Sequence, residues 1–303
     1  MALPARRLVR AGLGVGLGGL VLLGGYLGYA AHVGATALLR PEARARFRAT
    51  PAALGWRYQR LTLRGHDGVS LVAWYVPAAL PTDRAVLLLH GHRSSKAWMI
   101  HHLGRFLHAG YNMLALDARA HGESGGDLTT LGWHERRDAA LALDRLRALG
   151  NRRVGALGVS MGAATAIGLA ADRRDVAAVW ADSAFDTLRE AVAPRARLRG
   201  YWLPDLVAWA VVTRASRLTG LDLATADPIR AVRALAPRPL CLVHGALDEE
   251  TPPACSERLF AAAAGPRSLW VVPDARHAAA EQRAPRAYAE RLDAFWRQAL
   301  GGR

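Results

Sequence analysis

From residue 85 onward the chain alternates short, continuous apolar runs with longer stretches of helical spacing. Residues 85–89, 111–116, 153–159, 176–181, 240–243 and 268–272 read as strands. Apolar runs without polar alternation suit strands covered on both faces. The stretches 94–109, 131–149, 160–171, 253–264 and 284–300 read as helices. Strand and helix in turn predict an α/β fold, with a mostly parallel sheet and helices on both sides. Ahead of this region, residues 57–64 and 69–76 alternate around the turn His66-Asp67-Gly68, which predicts a β-hairpin. No internal repeat is present.

The N-terminus obeys different rules. Residues 11–31 carry no charge, and 21 residues span about 31 Å as a helix, which matches a bilayer core. A cleaved signal peptide is the rival reading, with Ala35-Thr36-Ala37 as its small-x-small site, but the apolar stretch is long for that purpose. The expected organisation is a basic tail over 1–10, a transmembrane anchor over 11–31, a linker over 32–56 and one catalytic domain over 57–303. A short basic tail favours the cytoplasmic side for the N-terminus, so the domain is expected outside the cell membrane.

Composition limits the partners. The net charge of +15 comes from 39 arginines and a single lysine, Lys96, among 25 acidic residues. The arginines are scattered and build no nucleic-acid recognition element. Arg40, Arg44, Arg46 and Arg48 cluster just after the apolar segment, where anionic lipid would attract them. Cys241 lies in an apolar strand-like run; it and Cys255 read as two free thiols or, if the domain is exported, as a disulfide. No nucleic-acid partner and no cofactor are expected.

One stretch interrupts the rhythm. Residues 187–223 fall between two strands and are too long for a plain crossover. They carry Trp202, Leu203, Leu206, Val207, Trp209, Val211 and Val212. This predicts a helical cap over the site, with Trp202, Leu206 and Trp209 as an apolar substrate wall.

Three residues carry the expected chemistry. Gly158-Val159-Ser160-Met161-Gly162 has the form G-x-S-x-G, directly after a strand and opening a small-residue helix. That context suits a nucleophile elbow, in which a serine occupies a sharp strand-to-helix turn. A second match, Gly122-Glu123-Ser124-Gly125-Gly126, follows no strand directly, and Ser124 reads as a loop hydroxyl. A serine is a weak nucleophile without a base. Asp248 and His277 each follow a predicted strand, at the carboxyl ends where α/β sheets gather catalytic groups. Glu249 and Glu250 are alternatives for the acid, though Asp248 fits the spacing better. The backbone N–H groups of Met161 and His92 are the expected oxyanion hole, with Arg93 in reserve for the second. His90, His92, His101 and His102 match no structural zinc spacing, so no metal is expected. Arg119 and His121 read as loop braces rather than substrate contacts.

These motifs together resemble the α/β-hydrolase superfamily, and more narrowly its bacterial membrane-anchored members related to serine aminopeptidases and esterases. The resemblance rests on His90-Gly91, residues 117–124, residues 158–162, His244-Gly245 with Asp248 and Pro252, and His277. It spans residues 57–300 and implies an eight-stranded sheet and metal-free acyl transfer. Ala120 stands where relatives usually carry glycine, which leaves that local turn in question. The expected substrate is an ester or thioester with an apolar acyl part. A peptidase or amidase, or a silent membrane-anchored binding protein, is the alternative.

Overall fold

The computed structural model describes residues 4–41 and 49–301. The basic residues Arg44, Arg46 and Arg48 lie outside them. Within the described residues eight strands form one sheet: β1 (Gln59–Arg64), β2 (Ser70–Val76), β3 (Arg84–Leu89), β4 (Asn112–Leu116), β5 (Arg153–Val159), β6 (Val176–Asp182), β7 (Leu240–Gly245) and β8 (Arg267–Val272). Their order is β1-β2-β4-β3-β5-β6-β7-β8. β1 and β2 form the antiparallel hairpin at one edge, and every pair from β4 to β8 is parallel.

Among the same residues ten α-helices surround the sheet: α1 (Pro4–Leu39), α2 (Leu103–His108), α3 (Glu135–Ala148), α4 (Met161–Asp172), α5 (Leu188–Leu198), α6 (Pro204–Thr219), α7 (Pro228–Ala231), α8 (Ala254–Ala262), α9 (Ala280–Arg283) and α10 (Pro285–Leu300). The apolar strands bury both faces, as their unbroken runs require. On one face, α3, α4 and α8 pack against Leu87, Leu114 and Leu242. On the other, α2 and α10 cover Val86, Leu157 and Trp180. The buried stripe of α10, Tyr288, Leu292, Trp296 and Leu300, repeats every four residues, as one helix face demands. The expected helix over 94–109 divides into a 3₁₀ segment (Lys96–His102) and α2, with the Lys96 N–H bonded to the Asp117 carboxylate at 2.7 Å.

A third apolar cluster lies beyond the carboxyl ends of the strands. There α5 and α6 form the insertion between β6 and β7, and α1 packs on α6. Residues Gly18–Leu39 form a helix long and apolar enough to cross a membrane. The helix does not follow the expected boundaries. It begins at Pro4, inside the expected tail, and runs to Leu39, through the first third of the expected linker. Contacts with the folded domain explain the extension, since Ala30, Ala35 and Leu39 are all buried.

Candidate active site

The bend at Ser160 sets the geometry. β5 ends at Val159 and α4 starts at Met161, so Ser160 alone makes the turn, with φ 54° and ψ −114°. Its N–H donates to the Asp182 carbonyl at 2.8 Å. The flanking glycines leave room for this elbow. A Cβ on Gly158 would lie 2.1 Å from the Gly162 carbonyl oxygen, and one on Gly162 would lie 2.0 Å from the Leu89 carbonyl oxygen. Both obstacles are backbone and cannot rotate away.

His277 follows β8 and Asp248 follows β7, and neighbouring parallel strands bring their ends together. His277 Nε2 lies 3.0 Å from Ser160 Oγ, and its Nδ1 lies 2.6 Å from Asp248 Oδ2. The Asp248 Oδ1 accepts the N–H groups of Glu250 (3.0 Å) and Thr251 (2.8 Å). Burial pushes the Asp248 carboxyl upward, but bonds from His244, His277 and the Thr251 N–H outweigh it and hold it well below the usual carboxylate range. Asp248 is therefore ionised at neutral pH. Glu249 and Glu250 face elsewhere, towards Arg276 and Arg195 respectively.

His244 escaped the sequence reading as a site residue. It is fully buried, donates from Nε2 to the Thr251 carbonyl at 2.7 Å and lies 3.2 Å from Asp248 Oδ2. Only its place in the His244-Gly245 pair ahead of Asp248 pointed to a role. Lys96 escaped too. Its ammonium is buried against the Asp117 and Glu123 carboxylates at 2.5 and 2.6 Å and sits over the Trp74 ring. It ties the loop after β3 to the loop after β4.

The first turn of a helix leaves its N–H groups without intrahelical acceptors. The Met161 N–H is such a group, beside Ser160. Neither it nor the His92 N–H donates to an acceptor among the described residues. The Arg93 N–H, held in reserve, instead donates to His121 Nε2 at 3.1 Å. His121 in turn donates from Nδ1 to the Arg119 carbonyl. Arg119 is clamped by Asp138 and Asp67, so the loop braces the site as expected. Ala120 keeps the turn at φ 60°, a left-handed conformation that costs an alanine about 1–2 kcal/mol. Ser124 is buried, bonded to the Asp117 carbonyl and the Val72 N–H, and is a structural hydroxyl.

Ser160 and His277 open into a cavity of about 620 Å³, walled largely by apolar residues that include Leu131, Phe185, Val207 and Val211. The expected wall residues Trp202, Leu206 and Trp209 do not line it. They are exposed on the outer side of the cap, and Tyr201, Val207 and Val211 take the inner positions. The reason is helical phase. Val207 and Val211 sit four residues apart on one face, and Leu206 and Trp209 fall on the other. Among the four histidines considered for a metal, His90 and His92 each place a ring nitrogen on a backbone carbonyl, and His101 pairs with Glu281.

Fold and site together define a hydrolase of α/β architecture. Residues 86–291 match the alpha/beta hydrolase family, and the chain belongs to that family. Among its relatives is the uncharacterized protein YqkD of Bacillus subtilis, 30% identical over 208 residues, covering 67% of this chain and 68% of that protein. Among solved structures it is similar to the Pyrococcus furiosus esterase Pf2001. That likeness has a TM-score of 0.71 and 27% identity, and covers 87% of this chain and 99% of the esterase. The Pyrococcus horikoshii acylaminoacyl peptidase, at 13% identity and a TM-score of 0.63, shares the fold over 81% of this chain and 42% of its own.

Proposed function

We propose that this chain is a membrane-anchored serine hydrolase that cleaves an ester or thioester with an apolar acyl group. The observation that carries the reading is the unbroken relay from Ser160 Oγ through His277 to the ionised Asp248, opening on an apolar cavity. His277 Nε2 takes the Ser160 proton as Oγ bonds to the substrate carbonyl carbon. The negative charge moves onto the carbonyl oxygen, where the N–H groups of Met161 and His92 receive it, each worth about 3–4 kcal/mol in such sites. Asp248 keeps Nδ1 protonated and stabilises the imidazolium. The leaving alcohol or thiol departs with the proton from Nε2. Water, deprotonated by His277, then releases the acid and restores Ser160. No metal or cofactor enters this scheme.

Likeness to an esterase over most of the chain, and the apolar cavity wall, support an ester over an amide. The charge-free helix supports the anchor, and the short basic tail supports an extracytoplasmic catalytic domain. A fluorophosphonate probe tests the chemistry: the full chain in detergent should label, and Ser160→Ala should not. Folded wild-type protein that takes no label would sink the proposal and favour a silent binding protein.

A further inference from the structure

We infer that the acyl pocket is loaded sideways from the bilayer, with the outer end of the cap seated in the lipid interface, so that the substrate is a lipid ester resident in the membrane. This rests on the proposed serine hydrolase with α1 as its anchor. The first observation is that α1 is a wall of the pocket. Ala30, Val33, Gly34, Ala37 and Leu38 all line the cavity that holds Ser160. Their spacing, i, i+3, i+4, i+7 and i+8, is one face of a helix. The face is built of small residues, so the helix lies close: a Cβ on Gly34 would sit 2.5 Å from Val211 Cγ2 on α6.

The second observation fixes α1 to the chemistry. The last carbonyls of a helix lack partners within it. Here the Leu38 carbonyl accepts from His92 Nε2 at 3.0 Å, and the Leu39 carbonyl accepts from the Thr129 N–H at 2.8 Å. His92 is the residue whose N–H is assigned to the oxyanion hole. The Leu38 end of the wall is therefore at the reacting centre. Ala30 lies eight residues, about 12 Å, back along the helix towards the charge-free segment.

The third observation sets the depth of the cap. The Tyr26 hydroxyl donates to the Trp202 carbonyl at 2.7 Å, and their rings are 6.4 Å apart. Tyr26 lies six residues, or about 9 Å, ahead of His32, the first basic side chain after Arg10. The cap end thus reaches the level where Trp and Tyr concentrate at membrane interfaces. It is dressed for that setting: Trp202 is 69% and Trp209 52% exposed, and Leu203 and Leu206 are exposed beside them. Leu20, Val21, Leu22 and Tyr29 of α1 stand bare as well. Large exposed apolar groups concentrated at one end of a domain mark a contact surface. The helix that supplies part of it is the one long and apolar enough to cross a membrane, which names lipid as the occupant. An acyl chain entering between α1 and the cap would trail along Ala30 and Val33 while its ester reaches Ser160.

The test uses the full chain reconstituted in phosphatidylcholine vesicles. Cys241 and Cys255 are buried, so a cysteine introduced by Trp202→Cys can be labelled selectively with an NBD fluorophore. Leu80→Cys, exposed in the loop between β2 and β3 at the opposite end of β3, serves as the aqueous reference. Label at 202 should emit further to the blue and resist an aqueous quencher, and label at 80 should not. In parallel, the double variant Trp202→Ser/Trp209→Ser should hydrolyse a water-soluble short-chain ester within twofold of wild type. It should lose at least tenfold on a long-chain ester held in the vesicles. Equal quenching at 202 and 80 would overturn the inference, as would wild-type vesicle turnover by the double variant. Wild type that hydrolyses neither ester and takes no fluorophosphonate would overturn the hydrolase proposal instead, with the depth of residue 202 still read from the fluorophore.

Discussion

Replacing Asp248 with Asn tests the relay at the point where the structure is most constraining. Asp248 Oδ1 accepts two backbone N–H groups, from Glu250 and Thr251. Only an oxygen can accept them, so the introduced amide must place its oxygen there. Its NH₂ then falls at the site of Oδ2, 2.6 Å from His277 Nδ1 and 3.2 Å from His244 Nε2. A donor facing Nδ1 drives the imidazole proton to Nε2. Nε2 then points a hydrogen at Ser160 Oγ and cannot take the serine proton. Loss of the base by this tautomer switch costs about 10⁴ in kcat in serine proteases, or ~5 kcal/mol of barrier. Asp248 touches no substrate, so KM should change little. Steady-state hydrolysis of a short-chain nitrophenyl ester by the full chain in detergent reads both parameters, with thermal melting to establish the fold. Retention of more than a tenth of wild-type kcat by a folded Asp248→Asn protein would refute the argument, because the backbone donors would then not be dictating the tautomer.

Other perturbations reach the scaffold. Lys96→Met should leave Asp117 buried without its counter-charge and cost about 3–5 kcal/mol, seen as a Tm lowered by roughly 10 °C; an unchanged Tm would refute it. Gly162→Ala should cost about 3 kcal/mol or more and abolish probe labelling at Ser160, since its Cβ meets the Leu89 carbonyl oxygen at 2.0 Å; normal labelling would show that the elbow relaxes freely. Burial, reinforced by His121, holds His90 down to about 4, and burial with His101 holds His102 down to about 3, against the upward pull of Asp117 and Glu281. Both stay neutral in the fold while the unfolded chain takes up protons below about pH 6.5. Stability should therefore fall as pH drops from 6.5 towards 4, by on the order of 2 kcal/mol per histidine at pH 5. Equal Tm at pH 7 and pH 5 would contradict this.

Ser160, Asp248 and His277 were legible as candidates because each lies within five residues of the end of an apolar run that reads as a buried strand. Strand ends in a parallel sheet converge whatever the helices between them do. The elbow was separable from Ser124 for the same reason: 153–159 is a strand and the residues before Gly122 are not. The supporting shell was not legible. His244 and Lys96 act through burial and pairing. Nothing in the chain's local pattern announces that the one lysine is wedged between two carboxylates more than 20 residues away.

The wall of the cap and the end of α1 differ from expectation for a common physical cause. A helix declares its inner face by apolar residues on one side and polar ones on the other. In α6 large apolar residues stand on both sides, Val207 and Val211 inward, Leu206 and Trp209 outward among Asp205, Ser216 and Arg217. Size alone then suggested that the tryptophans were the substrate wall, and the smaller valines hold that place. The end of α1 inverts the same logic. Ala35-Thr36-Ala37 reads as a cleavage site because its outer residues are small, and Gly34 stands beside it. Small residues are also what lets two helix backbones approach, and Gly34 meets Val211 at that distance. Ambiguity of both kinds arises where a helix has an apolar neighbour on each side. For α1 and α6 one neighbour is the cavity at Ser160. On the proposal above, the other is lipid, so the exposed Leu206 and Trp209 on the outer side of α6 are a consequence of where the enzyme works.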